Sequence, residues 1–288
     1  MEYQLMAIDM DGTLLNSELH ISKENENKIQ QAIAQNKVIV IATGRSLSEM
    51  NPYMHQLKAV RYFILESGAV IYDAYYNKMI YQAAFLKEEV KQIVQISHQQ
   101  DLMSHYFVDG YSYSFIEKMK HMDKYHMGKL QQFYLDHVHS IHDENEFIEN
   151  NKEKIEKVIF YHQSLDDVKQ CYQNLKDVDV EKPQVGVSIE LSPKGVTKAF
   201  ALEKLCHVLN IEMNQAIAIG DSDNDKEVLS IVGLSIAMDN ANHNIKEISD
   251  CITLDNDHHG VAKAIKDHLL GWYSACIYFF IMFLCYRK

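Results

Sequence analysis

Two aspartates two residues apart, Asp9 and Asp11, stand in the run Asp9-Met10-Asp11-Gly12-Thr13. Carboxylates at that spacing in a tight turn can divide the work of phosphoryl transfer. One binds a hard cation such as Mg²⁺ and attacks phosphorus, while the other gives and takes protons. The backbone N–H groups of Met10, Asp11 and Gly12 add a nest for phosphate oxygens. Considered alone, an Asp-x-Asp is more often a solvated acidic turn, but three further segments shift the balance. Thr43-Gly44-Arg45 offers a hydroxyl and a glycine that lets the backbone approach an anion closely. Lys198 supplies an ammonium able to offset charge on a nucleophile and a transferring group. Gly220-Asp221-Ser222-Asp223-Asn224-Asp225 supplies further carboxylates for a metal.

Each of these segments follows an element that can position it. Tyr3 to Asp9 reads as a short buried strand, and Val38-Ile39-Val40-Ile41-Ala42 is a nearly unbroken β-branched run. Ala216 to Ile219 and Leu234 to Ala237 have the same texture. Strands apolar on both sides belong to parallel sheets covered by helices on each face. Ligand sites in such sheets lie at the carboxyl ends of the strands, where Asp9, Thr43 and Asp221 fall. Helices are expected from the N-caps Ser22 and Ser46, and near Gly195, which puts Lys198 in a first turn. Beyond Phe85 the texture changes to aromatic, alternating strands split by Asp109-Gly110, followed by an aperiodic polar stretch over 117–154. The expected class is α/β: a Rossmann-like doubly wound parallel-sheet core, 1–82 plus 192–270, with an inserted α/β domain over 83–191.

Taken in order, Asp-Met-Asp-Gly-Thr, Ala-Thr-Gly-Arg, Lys-Gly-Val-Thr-Lys and Gly-Asp-Ser-x-Asn-Asp give a chain that resembles the haloacid dehalogenase superfamily, specifically its Cof-type phosphatases, over nearly all of 1–270. The resemblance implies a phosphatase for small phosphorylated metabolites, with the insert as a cap domain over the active site. It makes Asp9 the nucleophile that becomes an aspartyl phosphate and Asp11 the general acid and base. It assigns Mg²⁺ to the Asp9 carboxylate, the Asp11 backbone carbonyl and Asp221, with Asp225 acting through water or from behind. Thr43, the Gly44 amide, Met10, Lys198 and Asn224 are implied to bind the phosphate. Two positions depart from the usual pattern: Ala199 follows the motif lysine, with Lys194 as a second candidate, and Glu66-Ser67-Gly68-Ala69 stands where relatives commonly read Glu-Asn-Gly-Ala.

Composition narrows the alternatives. The 288 residues are 47% hydrophobic and 24% charged, as expected of a globular chain, and the net charge of -12 repels nucleic acid and anionic lipid. The insert carries the larger share of that charge, which argues against long polyanionic substrates. Asp221-x-Asp223-x-Asp225 also opens like a calcium loop, yet Lys226 and Val232 replace the glycine and glutamate such a loop needs, so a calcium-binding module is disfavoured. His137, His139 and His142 have zinc-like spacing, but a polar aperiodic context favours an exposed segment. A phosphomutase shares all four motifs and remains the alternative within the superfamily. Five cysteines without a C-x-x-C pair, and no signal peptide, place the expected location in the cytoplasm. Leu269 to Tyr286 is 18 residues without a charge. It reads as a packed helix, a membrane anchor, which is not favoured, or residues beyond the usual family terminus.

Overall fold

A computed structural model describes residues 2–270, so the apolar tail 271–288 and its three readings lie outside the described residues. The strands in chain order are β1 Leu5–Ile8, β2 Val38–Ala42, β3 Tyr62–Leu65, β4 Val70–Asp73, β5 Lys78–Gln82, β6 Met103–Val108, β7 Tyr111–Phe115 and β8 His139–Ile141. They continue with β9 Ile155–Tyr161, β10 Val180–Glu181, β11 Gln184–Val185, β12 Ser188–Pro193, β13 Ala216–Gly220, β14 Leu234–Ala237 and β15 Cys251–Ile252. The chain divides into two compact units. One holds the residues up to Ile41, Gln56–Arg61 and the chain from Cys206; the other holds Ala42–His55 and Tyr62–Leu205. Among the described residues no helix is long and apolar enough to cross a membrane.

In the first unit β15, β14, β13, β1 and β2 lie side by side, all parallel. Every residue of β1 and β13 is buried, the burial on both faces that their unbroken apolar runs demand. The helix Lys23–Ala34 starts at Ser22, whose hydroxyl accepts the Asn25 N–H at 3.2 Å, and buries Ile29 and Ala32. Asn25 itself is buried, donating to the Leu14 carbonyl at 3.4 Å and accepting from the Ala262 N–H at 2.9 Å. One side chain thus ties the turn after β1 to the last helices of the unit.

The second unit contains the antiparallel meander β3-β4-β5 and a larger sheet in the order β10-β12-β9-β6-β7-β8, with β11 beside β12. Alternation along β6 and β9 sends side chains to opposite faces. Tyr106, Val158 and Phe160 meet Val90, Ile93, Val168 and Cys171 from the helices Lys87–Ser97 and Leu165–Asn174. Met103, Phe107, Ile159 and Tyr161 meet Met119, Met122, Tyr125 and Tyr134. These last four come from the stretch that carries no sequence period. The helices that carry Met119 and Tyr134 are too short to display one: Ile116–Met119 and Gln131–His137. His139 stacks on Tyr113 with ring centres 5.2 Å apart, and His137 lies against Phe133 at 4.7 Å. Among the described residues the three histidines form no metal-binding group.

Candidate active site

In the first unit β1 and β13 run in register, Ile8 beside Ile219, so the residues that follow them emerge together. Asp9 is buried and its N–H donates to the Ile219 carbonyl at 3.1 Å. The turn after it is wide, closed by Leu14 N–H to the Asp9 carbonyl and Leu15 N–H to the Met10 carbonyl. One carboxylate oxygen from each of Asp9, Asp221 and Asp225 lies within 4.8 Å of the others. Neighbouring groups fix their orientation. Thr13 Oγ1 donates to Asp221 Oδ1 at 3.0 Å, and Asp225 Oδ2 accepts the N–H groups of Asp221 at 3.1 Å and Ser222 at 3.3 Å. Asn224 Oδ1 accepts from Ser222 Oγ at 2.9 Å, and Asn240 Nδ2 donates to the Gly12 carbonyl at 2.7 Å.

Three carboxylates this close, two of them buried, repel one another when ionised. Their hard oxygen donors fit a divalent cation such as Mg²⁺, which would offset that repulsion. Asp11 is exposed within the turn and Met10 is fully buried beside it. Thr13 and Asn240 were not among the residues expected to act. Thr13 carries a signal, a hydroxyl directly after Asp-x-Asp-Gly; Asn240, distant in the chain, carries none.

The second unit holds Thr43, Gly44 and Lys198. Thr43 and Lys198 are buried, and Lys198 is the first residue of the helix Lys198–Leu209, which starts three residues later than expected from Gly195. Lys194 is exposed and faces Asp179 and Glu181, each at 3.6 Å, which separates it from this environment. The backbone around Thr43 is tightly pinned: its N–H donates to Ile64 and its carbonyl accepts from Ser67, while the Arg45 carbonyl accepts from Glu66. Ser46 and Glu49 form a reciprocal cap at the start of the helix Leu47–Met54. The Arg45 guanidinium lies over the rings of Tyr53 and Phe133. Burial alone would raise the Glu49 carboxyl, but His105 at 3.4 Å, the Ser46 N–H and Arg45 outweigh it and hold it down at about 2. Glu49 is therefore a fixed anion beneath the Thr43–Arg45 turn.

Glu66 behaves in the opposite way. It is fully buried, and among the described residues neither of its oxygens has a hydrogen-bond partner; the carboxyl of Glu156, which Gln82 supports at 3.0 Å, is its charged neighbour. Burial, then the Glu156 charge, push Glu66 well above the ordinary 4.5; burial also raises Glu156, and the two neighbouring carboxyls titrate together. A raised folded-state value means that the stabilising contribution is complete below 4.5 and is lost as pH rises through the pair's folded range. Glu66→Gln keeps a donor towards Glu156 and removes this titration. The thermal midpoint of the variant should therefore gain on that of wild type as pH rises from about 5 to about 8. Parallel midpoint curves would show that Glu66 does not titrate in this range.

A family model described as haloacid dehalogenase-like hydrolase matches residues 6–265. The chain belongs to the haloacid dehalogenase-like hydrolases. Among curated relatives, this hydrolase is 28% identical to "Phosphatase YwpJ" of Bacillus subtilis (strain 168), over 93% of its own length and 100% of that protein's. It is 29% identical to "5-amino-6-(5-phospho-D-ribitylamino)uracil phosphatase YcsE" of the same organism, over 93% of its length and 97% of the relative's. Among solved structures, a haloacid dehalogenase-like hydrolase from B. subtilis superposes with a TM-score of 0.83 at 26% identity, covering 92% of this chain and 99% of the other. Family and named phosphatase relatives agree that the chain is a phosphoric monoester hydrolase, built on the α/β class expected from its sequence.

Proposed function

We propose that this hydrolase is a Mg²⁺-dependent phosphatase of small phosphorylated metabolites that works through an aspartyl phosphate on Asp9. The observation that carries the reading is the gathering of Asp9, Asp221 and Asp225 at the ends of two strands paired in register. The hard-donor chemistry of that group supports Mg²⁺ held by Asp9, the Asp11 backbone carbonyl and Asp221, with Asp225 orienting the loop through its two N–H bonds. When bound, the ion would offset the repulsion between a carboxylate nucleophile and a phosphate dianion.

The steps performed by the chain's own residues follow from their positions and chemistry. An Asp9 carboxylate oxygen attacks phosphorus and the ester P–O bond breaks. Asp11, exposed in the same turn, protonates the departing oxygen, and a free alcohol leaves. Asp11 then takes a proton from water as the water oxygen attacks the aspartyl phosphate, which regenerates Asp9 and releases inorganic phosphate. The Met10 and Gly44 amides, the Thr43 hydroxyl and Lys198 bind the phosphoryl oxygens, and Asn224 supports them. The insert over 83–191 acts as the cap that selects the leaving group. The thiols of Cys171 and Cys251, which form no disulfide among the described residues, support a cytoplasmic location.

A panel of small phosphomonoesters assayed for phosphate release with Mg²⁺ tests this reading. It should include sugar phosphates and a ribityl phosphate of the kind named for a relative. Inorganic phosphate should accumulate from at least one substrate. An isomeric sugar phosphate appearing without free phosphate would assign the chain to the mutases instead.

A further inference from the structure

Lys157 is a fully buried charged side chain of the second unit. It lies on β9, on the face of Phe107, Ile159 and Tyr161. Glu190 on β12 pairs with Ile159, which places it on the same face diagonally across from Lys157. The ammonium lies 2.7 Å from Glu190 Oε2, donates to Ser67 Oγ at 2.8 Å and to the Gly44 carbonyl at 3.0 Å, and lies over the Phe107 ring. Ser67 in turn donates to Glu190 Oε2 at 2.8 Å, closing a three-membered network. An ammonium has three donors, and here all three are engaged. Its charge is also balanced at contact distance by Glu190, whose carboxyl burial would raise but which Lys157 and Ser67 hold below its ordinary value.

Lys157 is therefore poorly suited to bind phosphate itself. Its position has a different consequence. The Gly44 carbonyl belongs to the turn whose Thr43 hydroxyl and Gly44 amide are proposed to hold phosphate. That turn is pinned by backbone bonds to residues 66 and 67, and Lys157 adds a bond to the Gly44 carbonyl. A side chain at Gly44 would meet the ammonium at 2.9 Å, so the lysine also fills the space beneath the turn. We propose that Lys157, held by Glu190 and Ser67, is a positioning residue that fixes the Thr43–Gly44 turn in its phosphate-binding form. This rests on the phosphatase reading above.

The test compares wild type, Lys157→Met and Ser67→Ala, using p-nitrophenyl phosphate as substrate and inorganic phosphate as competitive inhibitor. Loss of positioning should raise KM and the phosphate Ki by the same factor, about tenfold for Lys157→Met and about threefold for Ser67→Ala. The Mg²⁺ concentration giving half-maximal rate should not move, because the carboxylate group lies on other strands. A general loss of folded enzyme would lower the rate and leave Ki unchanged. Such a result for the soluble Lys157→Met protein, or for Ser67→Ala should the first variant fail to fold, would overturn the inference. Wild type that released no phosphate from any ester would instead remove the phosphatase reading on which it rests.

Discussion

Asp9→Asn should lower kcat/KM for any phosphomonoester by about four orders of magnitude or more while leaving the fold intact. The amide nearly matches the carboxylate in volume, so packing at this buried position is preserved. It lacks the anionic oxygen that must form the bond to phosphorus. Removing one of three carboxylates whose oxygens lie within 4.8 Å also relieves repulsion in the metal-free protein. The metal-free variant should then melt at or above the wild-type midpoint, and added Mg²⁺ should raise its midpoint less than it raises that of wild type. Thermal shift with and without Mg²⁺, alongside initial rates, separates these effects. A variant that kept wild-type turnover would remove Asp9 from the role of nucleophile.

The second large effect is expected at a residue that touches no substrate. Gly68 has φ of +108°, and a Cβ there would lie 2.1 Å from the Thr197 carbonyl oxygen and 2.9 Å from the Lys198 nitrogen. Both obstacles are backbone, at the start of the helix that carries Lys198, so no side-chain rotation can relieve them. The preceding residues are already costly, with Glu66 at φ 54° and Ser67 at φ 57°. Gly68→Ala should cost about 3–5 kcal/mol of stability, and any folded fraction should lose about a hundredfold in kcat/KM as Lys198 is displaced. Gly195→Ala is the matching control, since Gly195 also has a positive φ, +74°, but nothing within 4 Å of the added carbon. It should cost only about 1–2 kcal/mol and leave the rate constants alone. Equal effects from the two substitutions, in denaturant melts and assays, would mean that close approach to Lys198 plays no part.

What could be read from the sequence follows from how local each signal is. The runs Val38–Ala42 and Ala216–Gly220 declare buried parallel strands because every position is apolar, and Ser22 and Ser46 declare helix starts because a cap needs only three residues of context. The Asp9, Asp221 and Asp225 group was legible for a related reason: Asp9 and Asp221 follow directly on strand ends, paired strands bring their ends together, and Asp225 lies in the turn just after Asp221. The network around Lys157 was not legible. Lys157 and Ser67 are 90 residues apart and Ser67 and Glu190 are 123 apart, so no window of sequence contains them. A lysine within a strand also reads as a solvent-facing position, and only the β9–β12 pairing turns it inward onto an acid. The neighbouring buried carboxyls of Glu66 and Glu156 were hidden in the same way, 90 positions apart in the chain.

The central claim is that the carboxylate group at Asp9 works with Mg²⁺ in phosphate ester hydrolysis. Phosphate release by the wild-type protein, measured before chelation, after chelation and after Mg²⁺ is restored, tests it most directly. Activity should fall below about 1% on chelation and return with Mg²⁺. Hydrolysis at an undiminished rate in the chelated protein would contradict it.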